Sequence, residues 1–163
     1  MATAGGNLSE YDHDKIPSAE GMIISIVVSE WNNDITEGLL HGAKSTLLEN
    51  GLNIEDLDIN FVPGSFELPL CAQMILESKS PDAVICIGSV IRGETAHFDY
   101  VCEACALGIK DVSLKYNKPV IFCVLTDDNK QQSIDRSGGK HGNKGTEAAI
   151  TAIKMIALQK RLG

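Results

Sequence analysis

Continuous apolar runs alternate with amphipathic stretches along this chain. Residues 22–28 (MIISIVV), 83–87 (AVICI) and 120–125 (VIFCVL) are apolar almost throughout, as strands buried on both faces require. Residues 57–62 alternate instead, with Leu57, Ile59 and Phe61 set against Asp58 and Asn60. That pattern marks a half-exposed strand near a sheet edge. The stretches between carry helical spacing. Ile35, Leu39, Leu40, Ala43, Leu47 and Leu48 form one stripe over residues 35–50, with Asp34 and Glu37 as a capping-box-like start and Gly51 as a stop. Ser65 reads as the N-cap of a second helix bearing Leu68, Ala72, Ile75 and Leu76, with Pro69 in its first turn, where proline is tolerated. Val101, Ala104, Cys105, Ile109 and Val112 define a third helix that starts near Phe98 and is stopped by Lys118-Pro119. A short helix ending near Arg136 follows the fourth strand. The last helix buries Ala149, Ala152, Ile153 and Ile156 and ends on Lys160 and Arg161, which suit the helix dipole.

Strand and helix thus alternate four times, which predicts an α/β fold: a three-layer α/β/α sandwich around a parallel sheet. A flavodoxin-like four-stranded order, 2-1-3-4, places the half-exposed second strand at an edge. Ligands of such sheets bind beyond the carboxyl ends of the strands, where the strand order reverses. Here that point gathers the loops at Trp31, at 64–67 and at 88–97. Residues 1–20 are polar and read as a flexible tail, residues 21–163 as a single domain.

Composition narrows the partners. The 163 residues carry a net charge of −8, which argues against nucleic acid and anionic membranes, both of which need basic surface. No apolar run approaches the roughly 18 residues of a membrane span. The N-terminus lacks the apolar segment of a secretory signal, so a cytoplasmic protein is expected. Five cysteines, an odd number, do not suggest a disulfide framework, and four of them, Cys71, Cys86, Cys105 and Cys123, fall at apolar positions. Cys102 and Cys105 form a C-x-x-C pair, but it lies inside a helix with no second pair, so it reads as structural rather than as a zinc or redox site.

The stretch GSVIRGETAHFDY, residues 88–100, is longer and more ionisable than a strand-to-helix connection needs. His97 lies just before its helix. A histidine there can move protons near neutral pH, or simply decorate the helix start. Trp31, the only tryptophan, can stack on a planar heterocycle or anchor its loop. Arg136, Lys140 and Lys144, set among glycines 138, 139, 142 and 145, suit an anion such as phosphate or form a basic hinge. The backbone at 93–95 offers a second anion contact. Phosphate-loop, dinucleotide, nucleophile-elbow and metal-ligand patterns are missing from the sequence.

Together, WNN after the first strand, VPGSFELP after the second, GSVIRGETAHFDYV after the third, VIFCVLT in the fourth and then DRSGGKHGNKG resemble the lumazine synthase family, over nearly the whole chain. The resemblance implies condensation of 5-amino-6-(D-ribitylamino)uracil with 3,4-dihydroxy-2-butanone 4-phosphate, the penultimate step of riboflavin biosynthesis, without metal or cofactor. It implies that His97 transfers protons and that Trp31, a position where the family often has phenylalanine, stacks on the pyrimidine. Ser65, Phe66 and Glu67 would hold the ring and ribityl chain, with Ser89, Val90 and Ile91 lining the same site. Glu94 and Thr95 would meet the phosphate through their backbone. Phe122 and Arg136 would come from a neighbouring subunit, Arg136 gripping the phosphate. Glu94 stands where smaller residues are common. The resemblance further implies homopentamers. The short glycine-rich segment resembles that of members building 60-subunit icosahedral shells, which would be able to enclose riboflavin synthase. The N-terminal tail would be long enough to add a strand to a neighbour's sheet.

Three other readings stay open on the sequence. An archaeal-type riboflavin synthase shares the fold but uses two lumazines, and the Arg136 phosphate motif speaks against it. A non-catalytic flavodoxin-like module binding flavin would need no proton-transfer residue. A scaffold with a dead site is separable only by assay.

Overall fold

The computed structural model describes residues 7–163. A four-stranded parallel sheet forms its middle layer: β1 (Ile24–Ser29), β2 (Leu57–Val62), β3 (Ala83–Ile91) and β4 (Val120–Asp127), in the order β2-β1-β3-β4. The order and the layers are those the hydrophobic pattern predicts. β1 is buried along its whole length and β3 over its first seven residues, because helices cover both faces there, whereas β2 is mostly half-exposed at the edge.

Side chains alternate across the sheet and feed two cores. Ile26, Ile85, Ile87 and Cys123 point to α1 (Asn33–Glu49) and α5 (Lys144–Leu162), meeting Leu39, Leu47, Ile153 and Ile156. Val27, Val84, Cys86 and Val124 point to α2 (Leu68–Ser78) and α3 (His97–Tyr116), meeting Leu68, Ile75 and Ile109. The remaining elements are α4 (Lys130–Arg136) and a small antiparallel hairpin of β5 (Ser137–Gly139) and β6 (Gly142–Asn143). Among the described residues no helix is long and apolar enough to cross a membrane.

Several local expectations are corrected. β3 does not stop at Ile87 but runs to Ile91, because β4 extends with it and pairs Ser89 with Leu125, Val90 with Thr126 and Ile91 with Asp127. Gly88 does not break the strand. A Cβ there would sit 2.5 Å from Ser65 Oγ, so the glycine makes room for that side chain. The connection to α3 therefore shrinks to residues 92–96. α1 starts at Asn33, after Asn32 in the left-handed conformation (φ 58°). Asp34 is not the N-cap but lies inside the helix, and its carboxylate, 2.6 Å from Lys130 Nζ, is held by that lysine below the usual carboxylate pKa. Ser65 is not an N-cap either. It is buried in a 3-10 turn, Ser65–Glu67, that precedes α2. α3 ends on Asn117, also left-handed (φ 49°), one residue before the Lys118-Pro119 stop. The basic glycine segment is a folded hairpin rather than an open hinge. Cys71 is only half-buried, unlike Cys86, Cys105 and Cys123, and all five thiols are free. At the N-terminus the Leu8 amide donates to His141 O at 2.7 Å and the Asn143 amide donates to Ser9 Oγ at 2.9 Å, while Ala19 is fully buried.

Candidate active site

The carboxyl ends of β1, β2 and β3 open into a cavity of about 370 Å³. Each strand contributes the turn that follows it. After β1 come Trp31, 72% exposed, and Asn32. The left-handed backbone of Asn32 is a conformation that asparagine adopts more readily than most residues, and its Nδ2 donates to Ser89 O at 3.0 Å. That bond ties the Trp31 turn to the end of β3. After β2 come Gly64, Ser65 and the largely exposed Phe66. β3 supplies Ser89, Val90 and Ile91, its connection Gly93 and Thr95, and the first turn of α3 His97, Phe98 and Val101.

Of the residues singled out in the sequence, the structure brings Trp31, Ser65, Phe66, Ser89, Val90, Ile91, Thr95 and His97 to this one cavity. Glu67 is exposed and not part of the lining, although its Oε2 would lie 3.0 Å from a Cβ on Gly64, which is. Glu94 is exposed on the 92–96 connection, outside the lining. Phe122 and Arg136 lie away from it. Phe122 is on the outer edge strand β4, with 37% of its surface exposed. Arg136 ends α4, donating from Nη1 to Gln132 O at 2.9 Å and standing 3.9 Å from Asp127 Oδ1. Gly93, read as part of a backbone anion contact, also lines the cavity, whereas Asn32, Gly64, Phe98 and Val101 line it without having been singled out as site residues. Asparagine directly before a helix start was the available signal for Asn32; Val101 had been read only as helix packing.

Chemically, the cavity combines three aromatic walls with polar groups that lack partners. Ser65 Oγ and Ser89 Oγ are both buried and neither has a hydrogen-bond partner among the described residues. Burying a hydroxyl unpaired is costly, so each stands to gain from a polar partner. Ser65 is itself held from behind, since Cys105 Sγ donates to its carbonyl at 3.1 Å. Burial pushes the Cys105 thiol up to about 11 and raises Cys102 as well. A reactive thiol needs the opposite shift, so neither cysteine offers a nucleophile, and Cys105 supports the cavity wall through Ser65. The His97 imidazole is exposed and makes no hydrogen bond among the described residues, leaving it open to a substrate.

Comparison with known proteins agrees with this arrangement. The sequence pattern of the family described as 6,7-dimethyl-8-ribityllumazine synthase matches residues 21–160, which include every element that builds the cavity. The chain belongs to the lumazine synthase family. It is 55% identical over 157 residues to the 6,7-dimethyl-8-ribityllumazine synthase of Cytophaga hutchinsonii, covering 96% of this chain and 98% of that one. The protein of the same name from Flavobacterium johnsoniae is 56% identical, with 99% of this chain and 85% of the relative covered. That of Porphyromonas gingivalis is 48% identical, with 98% and 99% covered. For a lumazine synthase, the division between residues inside the cavity and Arg136 and Phe122 outside it becomes a question of assembly.

Proposed function

We propose that this cavity condenses 5-amino-6-(D-ribitylamino)uracil with 3,4-dihydroxy-2-butanone 4-phosphate to 6,7-dimethyl-8-ribityllumazine, phosphate and water, the penultimate step of riboflavin biosynthesis. The observation that carries the reading is the family match across all the cavity-forming elements. It disfavours a riboflavin synthase and a non-catalytic flavin binder. The pyrimidine lies between Trp31 and Phe66, where aromatic faces stack on a planar ring. The unpaired hydroxyls of Ser65 and Ser89, with Glu67, bond the ring and the ribityl chain. Val90 and Ile91 close the floor. The sugar phosphate meets the 93–95 backbone, with Glu94 and Thr95 contributing amides. The substrate amine attacks the ketone, and loss of water gives an imine. Phosphate is then eliminated, and attack of the ribitylamino nitrogen on the remaining carbonyl, with loss of a second water, closes the ring. His97 shuttles the protons of these steps. Holding two substrates face to face is itself a large part of the acceleration.

Arg136 and Phe122 complete the site from a neighbouring subunit. Their position outside their own chain's cavity supports that reading, as does the exposed apolar surface of Phe61, Leu70 and Met74, which a lone chain would leave in water. We read the assembly as pentamers arranged in a 60-subunit shell able to enclose riboflavin synthase, in the cytoplasm. Light scattering on the purified protein is expected to give the mass of 60 chains; a pentamer mass alone sinks the shell while leaving the reaction untouched.

Mixing the protein with both substrates should produce the fluorescent lumazine. Arg136→Ala is expected to raise KM for the butanone phosphate by roughly tenfold or more, the scale of a lost charge-assisted contact of about 1.5–3 kcal/mol, with a far smaller change in KM for the pyrimidine. No fluorescent product from the wild-type protein would overturn the function, and an unchanged KM for the phosphate substrate would overturn the role of Arg136.

A further inference from the structure

We propose that Arg92 is a positioning residue that holds the first turn of α3, and with it His97, at the working distance from the substrates; the catalytic part of this inference rests on the function proposed above. The imidazole of His97 has no hydrogen-bond partner among the described residues. Its own amide makes one long bond, to Thr95 Oγ1 at 3.4 Å. The location of the ring therefore depends on the backbone turn that carries it.

Arg92 grips that turn from three sides. Its guanidinium carbon lies 4.1 Å from the centroid of the Phe98 ring, and Phe98 lines the cavity beside His97. Its Nη1 donates to Asp99 Oδ1 at 3.2 Å, in the first turn of α3. Its Nε donates to Asp128 Oδ1 at 3.0 Å, just beyond the end of β4. The Arg92 amide also donates to Asp127 O at 2.9 Å, so the backbone beneath the side chain is fixed to the sheet. One planar group thus joins the two residues after His97 to the rigid end of β4. Only arginine can stack on a ring and fork to two carboxylates at once.

The same clamp reaches α4. The Asp128 amide donates to Gln132 Oε1 at 2.9 Å, and Gln132 O accepts from Arg136. Arg92 is 44% exposed and its carboxylate partners more so. Exposed ion pairs contribute little to global stability, so the packing of the fold does not explain a three-way grip at this place. Its geometry fits the placement of the turn.

The test uses the full-length assembled protein and Arg92→Gln, with Asp128→Asn as a second variant that keeps the arginine but removes its anchor on β4. Both are expected to keep the native mass. Arg92→Gln should lower kcat on the order of tenfold, since small misplacements of catalytic groups are costly, with KM for each substrate within roughly twofold of wild type. Arg92→Lys, a point charge that cannot fork or stack equally well, should restore only part of the rate. In a His97→Ala background the Arg92 change should cost nothing further, because the group it positions is gone. Hydrogen–deuterium exchange should rise in a peptide covering residues 97–104, whether or not the protein is given substrate. A higher KM for the butanone phosphate at unchanged kcat would make Arg92 a phosphate contact and overturn the proposal. A full additional loss in the His97→Ala background would overturn it too, as would unchanged exchange at α3. If wild type makes no lumazine, the function fails by itself, and the exchange experiment still decides whether Arg92 holds the turn.

Discussion

His97→Ala is expected to slow turnover by roughly 10²–10⁴, the range supplied by a positioned proton-transfer group, while leaving the folded protein intact. The two halves of that expectation rest on separate observations. The catalytic half follows from location: His97 lines the same cavity as Trp31, Phe66 and Phe98. The structural half follows from what the side chain lacks. It is exposed and hydrogen-bonded to nothing among the described residues, so its removal leaves no orphaned partner. Alanine also suits the first residue of a helix better than histidine does. The loss should appear in kcat more than in KM, because a proton shuttle acts on the steps between bound states rather than on binding. Steady-state kinetics with each substrate varied in turn, alongside a thermal unfolding scan, separates the two halves. A variant that folds and turns over like wild type would remove His97 from the mechanism. One that unfolds would show that the exposed ring has a packing role not visible in its contacts.

The architecture was legible because its signals are strong and local. Three apolar runs and one alternating run order the sheet, and burial of β1 and of most of β3 against the edge position of β2 follows from the same physics. Boundaries were less legible where long-range contacts decide them. Gly88 and Ser89 look like the end of a strand, but pairing with β4 carries β3 three residues past Gly88. The missing Cβ of Gly88 is a packing requirement of Ser65, distant in sequence. Asp34 looks like a cap because its spacing to Glu37 fits; the helix instead begins behind a left-handed Asn32, and Asp34 pairs with Lys130.

The cavity follows a similar division. Residues on loops at the carboxyl ends of strands, such as Trp31 and His97, were visible from fold geometry, whereas Ser65 read locally as an N-cap and was assigned to the site only through the family's motifs. Arg92 was not, since its partners lie 7 and 36 residues away and nothing local links them. Phe122 and Arg136 could not be joined to the cavity by periodicity of any kind, because a single chain keeps them outside it. Only the family's motifs connected them to it.

Gly145→Ala should be among the most destabilising single substitutions in the chain, contrary to what helix propensity alone predicts. Gly145 lies in the first turn of α5 and its φ is not in the left-handed region, so alanine would ordinarily favour the helix by about 1 kcal/mol. Here a Cβ would lie 1.9 Å from Leu39 O and 2.8 Å from Leu39 C, in the backbone of α1. A side chain could rotate away, but a helix backbone cannot. The only relief is to move α5 off α1, at an overpacking cost of about 3 kcal/mol or more. The same contact orders the hairpin. Asn143 caps α5 by accepting from the Gly145 amide at 2.8 Å, and its Nδ2 donates to Gly38 O in α1 at 2.8 Å. Gly38 and Gly42 leave room for this approach: a Cβ on Gly38 would be 2.6 Å from Ser137 O, and one on Gly42 2.4 Å from the Asn143 side chain. Separating the helices therefore loosens residues 137–143, the segment directly after Arg136. The expected result is a lower unfolding midpoint together with a raised KM for the butanone phosphate in whatever protein remains folded. Gly93→Ala is the control for stability, because its Cβ would meet nothing within 4 Å. A Gly145→Ala midpoint equal to that of Gly93→Ala would mean that α1 and α5 do not pack at this distance. The dependence of Arg136 on their contact would then fall with it.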